Sequence, residues 1–446
     1  MNVHIRNYWL DTASPPSPST GPPPERVDVA VIGAGYTGLS AAHWLASHGT
    51  RVVVLEAESI GWGASSRNGG MVLTGLKLGI DTLRARYGAD AAYRMYATSL
   101  ASIDYTEALI LAGGIVCHFT RCGHVAVAST PAHFERAARA VDAMSREYAS
   151  ALRVVSRREL ADEVGSEIYF GGVVDDRSGG LNPAQYVAGL ARVAMDAGAE
   201  IYEDTRVTRI VHAPHQGQTD YDVVTTRGHV IAREVVIATG GYTDGAVPRL
   251  QRRILPIGSY IIATEPLSDE LAHELSPRRR MIFDSRRLLH YYRLTPDNRM
   301  LFGGRAAFFP DTRRRIAESA AILRRDLIAV FPQLRRASID YAWGGTLDFC
   351  LDTMPHAGRL DGMSYALGYA GHGVAMSTYL GAQIAAQLSG EPAQHPFADI
   401  PFRGAPAGMH EALRRGLPIV AGWYKLRDWI DDVAAGTGGR RAGSMV

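Results

Sequence analysis

Cysteine is scarce in this 446-residue chain: Cys117, Cys122 and Cys350 offer no metal-ligand spacing and no even set for disulfides. No metal is expected, and a reducing compartment, the cytoplasm, is. No apolar run reaches the roughly 20 residues of a membrane span, so none is expected. The first six residues lack the apolar region of a secretory signal. One-sided charge is missing too. With 47 basic and 45 acidic residues the net charge is +2, which leaves no electrostatic footprint for nucleic acid. The arginine runs at 278–280 and 313–315 read as solvated faces.

Glycine, by contrast, is abundant, and its placement is informative. Val27-Asp28-Val29-Ala30-Val31-Ile32 has the β-branched content of a buried parallel strand. It runs into Gly33-Ala34-Gly35-Tyr36-Thr37-Gly38, then a helical pattern over 39–47, then Val52-Val53-Val54-Leu55 ending on Glu56. Gly33 permits the tight turn, Gly35 lets backbone approach a pyrophosphate, and Gly38 lets the helix sit close on the strand. The helix start presents free N–H groups and a positive dipole end to the phosphates. Glu56 suits the diol of an unphosphorylated ribose, which disfavours NADP and leaves FAD and NAD.

The next loop, Gly61-Trp62-Gly63-Ala64-Ser65-Ser66-Arg67-Asn68-Gly69-Gly70, is small and polar enough to run along an extended cofactor. Ser14–Pro24 holds six prolines and reads as an extended connector. Helices are expected over 81–112 and 131–150, with a strand at 123–128 between them. Asn182 and Pro183 open a helix that stops at Gly198. Strands follow at 201–203 and 207–211, then a hairpin around Arg227-Gly228, then a strand ending in Thr239-Gly240-Gly241. Further strands are expected at 259–264, 289–294 and 300–303, and a helix at 316–330. Residues 411–435 read as an amphipathic terminal helix.

Several motifs together carry a family resemblance. They are Asn7-Tyr8-Trp9, GAGYTGLS at 33–40, GASSRNGG at 63–70, NPAQYVAGLA at 182–191 and VVIATGGYT at 235–243. YYRLT at 291–295, WGGTLD at 343–348 and GYAGHGVAMS at 368–377 complete them. On these the chain resembles FAD-dependent amine oxidoreductases of the glycine oxidase and D-amino-acid oxidase superfamily, in the branch that includes γ-glutamylputrescine oxidoreductase. The resemblance implies an α/β plus α+β fold, a Rossmann-like FAD-binding domain interleaved with an antiparallel-sheet substrate domain. The expected parts are an N-terminal proline-rich segment (1–26), the FAD domain (27–80, 154–245 and 342–402), the substrate domain (81–153 and 246–341) and a C-terminal helical segment (403–446).

For the cofactor, the expected contacts are Gly33, Gly35, Tyr36, Thr37, Gly38, Glu56 and Ala57, and Gly63, Ala64, Ser65, Ser66, Arg67, Asn68, Gly69, Gly70 and Met71 in the loop. Val207, Thr239, Gly240, Gly371, His372, Gly373, Val374 and Ala375 complete the set. His290, Tyr292, Arg293, Trp343 and His372 are the candidate catalytic residues. Alternation puts His290 and Tyr292 on one face of their strand, Tyr291 and Arg293 on the other. His372 is also read as a residue that only orients its glycine turn. Relatives that oxidise amino acids clamp the substrate carboxylate with an arginine where this chain has Trp343, and relatives with covalent FAD use a cysteine near Gly345. Neither is present, so non-covalent FAD and an amine without an α-carboxylate are expected, oxidised to an imine that water hydrolyses. O2 or another acceptor takes the electrons. The alternative is an amino-acid or cyclic imino-acid oxidase or dehydrogenase, pipecolate- or proline-like, with Arg67, Arg293 or Arg305 as the clamp. A non-catalytic or RNA-modifying flavoprotein is a third reading.

Overall fold

Two large sheets organise the computed structural model. It describes residues 4–148, 151–215, 218–307, 312–392, 394–406, 416, 422–423, 426–428 and 430–431. The eight-stranded sheet is built on Arg26–Ile32, whose apolar residues are buried on both sides. Val52–Leu55 and Gly228–Ile237 lie parallel to it on either side, in register Val31 with Val54 and with Val236. Glu200–Tyr202 extends one edge, and the Val207–His215 and Gln218–Thr225 hairpin extends the other. Gly228, at φ +120°, permits the turn back into Gly228–Ile237, as expected.

Three helices cover this sheet and share one core: Tyr36–Ser47, Pro183–Asp196 and Gly373–Leu388. Asn182 caps the second, its Oδ1 accepting from the Ala184 and Gln185 amides at 3.1 Å each. The expected helix over 81–112 is broken in two, Ile80–Tyr87 and Ala89–Ala112, because Gly88 turns at φ +85°. Ile103, Leu109 and Ile110 of the longer piece join the same core as Gly373–Leu388, so this helix packs with the layer over the eight-stranded sheet.

The nine-stranded sheet runs His4–Ile5, Ile339–Cys350, Ile254–Thr264, Met300–Ala307, Tyr291–Leu294, Met281–Asp284, His124–Val127, Gly171–Asp175, Leu152–Ser156. The strands at 152–156 and 171–175 pair beside His124–Val127, so this part of the chain stays with the larger sheet past the expected crossing at 154. Likewise Ile339–Cys350 pairs along Ile254–Thr264 and leaves only after 350, not at 342. One face packs against helix Arg313–Val330 through Tyr260, Ile262, Tyr292, Phe302, Leu323 and Leu327. Cross-strand register puts Phe283, Tyr291, Gly303, Ile261 and Trp343 on the other face. That face looks toward the cofactor loop.

Most of the expected 411–435 helix lies outside the described residues. The described ones are helical, and Asp428 and Asp431 bond the Arg287 side chain at 3.0 and 2.7 Å. Among the described residues no helix is long and apolar enough to cross a membrane.

Candidate functional site

At the carboxyl ends of the parallel strands the glycines do what their spacing implies. Gly33 turns at φ +105°, and a Cβ there would sit 2.9 Å from the Ala238 carbonyl oxygen. A Cβ on Gly38 would sit 2.0 Å from the Gly33 carbonyl oxygen, so only glycine lets this helix approach the turn. Gly35 opens helix Tyr36–Ser47 with no side-chain cap, leaving N–H groups at its start for an anion. Ser65 reaches across from the loop, its Oγ accepting from the Tyr36 amide at 3.0 Å.

These elements border a cavity of about 390 Å³. Gly33, Gly35, Tyr36, Thr37, Glu56, Ala57, Gly63, Ala64, Ser65, Asn68, Val207, Thr239, Gly240, Gly371, Gly373 and Val374 line it. Glu56 accepts from the Ala34 amide at 2.7 Å and the Glu58 amide at 3.0 Å. Burial pushes its pKa up against those bonds. The donor-rich helix start, the glycine cradle and the acid at the second strand fit a dinucleotide whose ribose Glu56 would hold.

Other expected contacts lie behind the lining. Gly38 is packed under the turn. Ser66 is buried, its carbonyl accepting from Asn7 Nδ2 at 2.7 Å. Gly69 lies against the Tyr291 ring, 3.1 Å from where its Cβ would be. The Gly70 carbonyl accepts from Arg293, and Met71 pairs with Gly180. Ala375 is buried in its helix. Residues not anticipated do line the cavity. Trp62 and Tyr242 meet edge to face at 5.5 Å, and Arg206, Thr346, Asp348 and Ser377 join them. Trp62 and Tyr242 stand inside loops already singled out, so their position was the available signal. Burial lifts the Asp348 carboxyl to about 6, although the Gly368 amide donates to it at 2.8 Å.

The candidate catalytic residues are mostly turned elsewhere. Tyr292 is on the face that packs on helix Arg313–Val330, with its hydroxyl donating to Tyr169 at 2.9 Å. His290 shares that face, its ring nitrogens 3.2 Å from Asp284 and 3.3 Å from Asp326. Arg293 is buried, and its Nη1 donates to the Gly70 and Leu181 carbonyls at 2.9 Å each. Burial brings its pKa down to about 10. Trp343 is buried against Trp9, Ile261 and Leu301, its indole N–H donating to the Arg67 carbonyl at 3.0 Å. Arg67 donates to the Trp62 carbonyl at 2.7 Å and lies 4.7 Å from the Trp62 ring centre. The side chain of Arg305 lies outside the described residues. Tyr291 is the strand residue that faces the cofactor loop; its hydroxyl is 3.2 Å from Ser259 Oγ, and burial pushes its pKa up to about 12. His372 does sit in the Gly371–Gly373 turn. Burial, with Lys77 and His124 nearby, brings its pKa down to about 3, so the ring is neutral at pH 7.

A glycine turn, a helix start and an acid at the end of the second strand border one cavity, the arrangement of a dinucleotide-binding fold. Residues 28–387 match the family described as FAD dependent oxidoreductase, and the chain belongs to that family. It is 34% identical over 436 residues to γ-glutamylputrescine oxidoreductase of Escherichia coli K12, covering 96% of this chain and 99% of that protein. It is 35% identical over 400 residues to the probable oxidoreductase OrdL of Haemophilus influenzae, covering 87% and 89%. The crystal structure of glycine oxidase from Geobacillus kaustophilus has the same fold, with TM-score 0.74 and 22% identity over 85% of this chain and all of that one. The protein is therefore an FAD-dependent oxidoreductase with the glycine-oxidase-type α/β architecture.

Proposed function

We propose that this enzyme oxidises the C–N bond of a primary or secondary amine that lacks an α-carboxylate, giving an imine that water hydrolyses to an aldehyde or ketone and an amine. FAD, when bound, supplies the acceptor for the hydride leaving the carbon next to nitrogen. The observation that carries the reading is the fate of the arginines. Arg293 and Arg67 donate to backbone carbonyls, and Trp343 fills the place where the resemblance puts a carboxylate clamp. Burying a carboxylate without a partner costs several kcal/mol, and each 1.4 kcal/mol is about tenfold in affinity. The name of the E. coli relative, γ-glutamylputrescine oxidoreductase, is of this substrate type.

The chain's own groups then have defined tasks. Tyr291 and Phe283, a cross-strand pair, cover the substrate and exclude water from it. The start of helix Gly373–Leu388 faces negative charge with its amides. Among the described residues no lysine or histidine lines the cavity, and the amine is taken up in its neutral form. We place the cofactor domain at the eight-stranded sheet with its helices and the substrate domain at the nine-stranded sheet. FAD is held without a covalent bond, because Cys350 lies beyond Gly345, and acid precipitation should leave all flavin in the supernatant. Electrons pass to O2 or another acceptor, and the enzyme works in the cytoplasm.

The test is anaerobic flavin reduction with matched pairs, an N-alkyl amine and its α-carboxylated analogue. The amine member of each pair should reduce the flavin at least tenfold faster. Faster reduction by the carboxylated members would transfer the assignment to an amino-acid or cyclic imino-acid oxidase.

A further inference from the structure

The Asn7-Tyr8-Trp9 motif lies outside the nucleotide-binding unit, yet two of its side chains end on the cofactor loop. Helix Ala64–Arg67 in that loop is a single turn, so the carbonyls at its end have no following turn to donate to them. Asn68 answers the first of these itself. Its Nδ2 donates to the Ala64 carbonyl at 3.0 Å and to the Ser65 carbonyl at 3.1 Å. The next carbonyls are each met by a side chain from outside the loop. Asn7 Nδ2 donates to Ser66 at 2.7 Å, the Trp343 indole N–H to Arg67 at 3.0 Å and the Trp9 indole N–H to Asn68 at 2.9 Å. Asn7, Trp9 and Trp343 are all buried. An indole N–H donates in one fixed direction, so each bond sets where its peptide can lie.

The donors are themselves fastened. His4–Ile5 pairs in parallel with Tyr341 and Ala342, directly before Trp343. The Tyr8 hydroxyl donates to Asp297 at 2.5 Å, and the Arg299 guanidinium lies 5.6 Å from the centre of its ring. Asn7 Oδ1 accepts from the Trp9 amide at 3.0 Å, which orients the Asn7 side chain toward Ser66. At the other end of the segment, Asn182 Nδ2 donates to Thr12 Oγ1 at 2.8 Å, and Gln185 Nε2 to the Thr12 carbonyl at 2.9 Å. The N-terminal segment is thus tied to the nine-stranded sheet and to helix Pro183–Asp196, and from there it reaches the loop. On the loop, Ser65 and Asn68 line the cavity, while Asn7, Trp9 and Trp343 do not. Ser65 also joins the loop to the start of helix Tyr36–Ser47, through its bond from the Tyr36 amide.

We infer that Asn7 and Trp9, with Trp343, are positioning residues for the flavin: they hold the carbonyls at 66–68 and so set how Ser65 and Asn68 meet the cofactor. The N-terminal segment is then part of the FAD site although it touches no wall of the cavity. The role is independent of which amine is oxidised, since it concerns the flavin site alone.

Three variants test it. Trp9→Phe keeps a buried ring and removes the N–H. Asn7→Asp keeps the acceptor for the Trp9 amide and removes the donor to Ser66. Tyr8→Phe is the comparison, because it loosens the same segment at Asp297 and touches no loop carbonyl. Each apoprotein is titrated with FAD, its melting temperature is measured, and the visible circular dichroism of the bound flavin is recorded. Trp9→Phe and Asn7→Asp should each raise the FAD dissociation constant about tenfold and alter the flavin dichroism. Tyr8→Phe should lower the melting temperature yet keep FAD affinity within about twofold of wild type, with unchanged dichroism. Where Trp9→Phe yields no folded apoprotein, Trp343→Phe carries the same comparison. Wild-type affinity and dichroism in the folded Trp9 and Asn7 variants overturn the role. So does a Tyr8→Phe variant that loses FAD affinity as much as Trp9→Phe, since the segment would then be only a brace for the fold.

Discussion

His290 shows how much one buried side chain decides away from the chemistry. Burial alone would lower its pKa, but the hydrogen bonds and charges of Asp284 and Asp326 outweigh that and raise it. The same imidazolium holds both carboxyls below their ordinary range, against burial that would raise them. The signs then follow. The histidine's contribution to stability is full below its unfolded pKa of about 6.5 and is lost as pH rises through the raised folded value. The carboxylates contribute above about 3.9 and lose that contribution as pH falls through their depressed folded values. His290→Gln removes one of two cations from each carboxylate, leaving Arg286 on Asp284 and Arg325 on Asp326, and should cost about 1–3 kcal/mol near pH 6. The gap between variant and wild type in urea unfolding should narrow as pH rises above the folded pKa. A gap that is constant from pH 6 to 9 would show that His290 acts there only by packing.

At the scale of elements, the turn from Arg26–Ile32 into Tyr36–Ser47 depends on contacts too close for any side chain. Gly38 has the Gly33 carbonyl oxygen 2.0 Å from the position of a Cβ, and Val31 Cγ1 at 3.1 Å. Gly38→Ala must therefore push the helix start off the strand and re-aim the uncapped amides that face the cavity. The expected result is loss of FAD affinity well beyond the loss of fold. Overpacking of this kind costs about 1–3 kcal/mol of stability, and the displaced amides lose charge-assisted bonds of about 1.5–3 kcal/mol each. Titration of the apoprotein with FAD, alongside thermal unfolding of the same sample, separates the two. A variant with wild-type FAD affinity would show that the helix start does not hold the phosphates.

At the scale of the whole molecule, Arg293 ties the two layers together. It rises from the nine-stranded sheet, and one nitrogen donates to carbonyls of the cofactor loop at Gly70 and of the segment before helix Pro183–Asp196 at Leu181. Arg293→Met leaves the Leu181 carbonyl without this donor, at about 1–3 kcal/mol, while the Gly70 carbonyl keeps the Leu181 amide at 2.9 Å. The unfolding midpoint should fall and flavin release should begin at lower denaturant, since the lost bonds join the sheet to the loop that borders the cavity. Monitoring flavin fluorescence and far-ultraviolet circular dichroism through one urea series checks this; coincident wild-type curves would remove the joining role.

What the sequence determined by itself was local: strand, glycine turn, helix, second strand and Glu56 lie within 30 consecutive residues, and contiguous geometry leaves little freedom. The Asn182 cap, the Arg227-Gly228 hairpin and the alternation of His290 with Tyr292 against Tyr291 with Arg293 were legible for the same reason. Which of those two faces meets the cofactor loop was not, because a period of two is symmetric until something packs on one side. Helix Arg313–Val330 covers the His290 and Tyr292 face, and so Tyr291 meets the loop at Gly69. The fate of the arginines and the crossing points between the sheets were also decided only in three dimensions. Arg293 and Gly70 are 223 positions apart in the chain, and no periodicity or spacing connects them. Burial and the choice of hydrogen-bond partner belong to the packed molecule, and those two properties turn a charged residue into a brace, a clamp or a binding site.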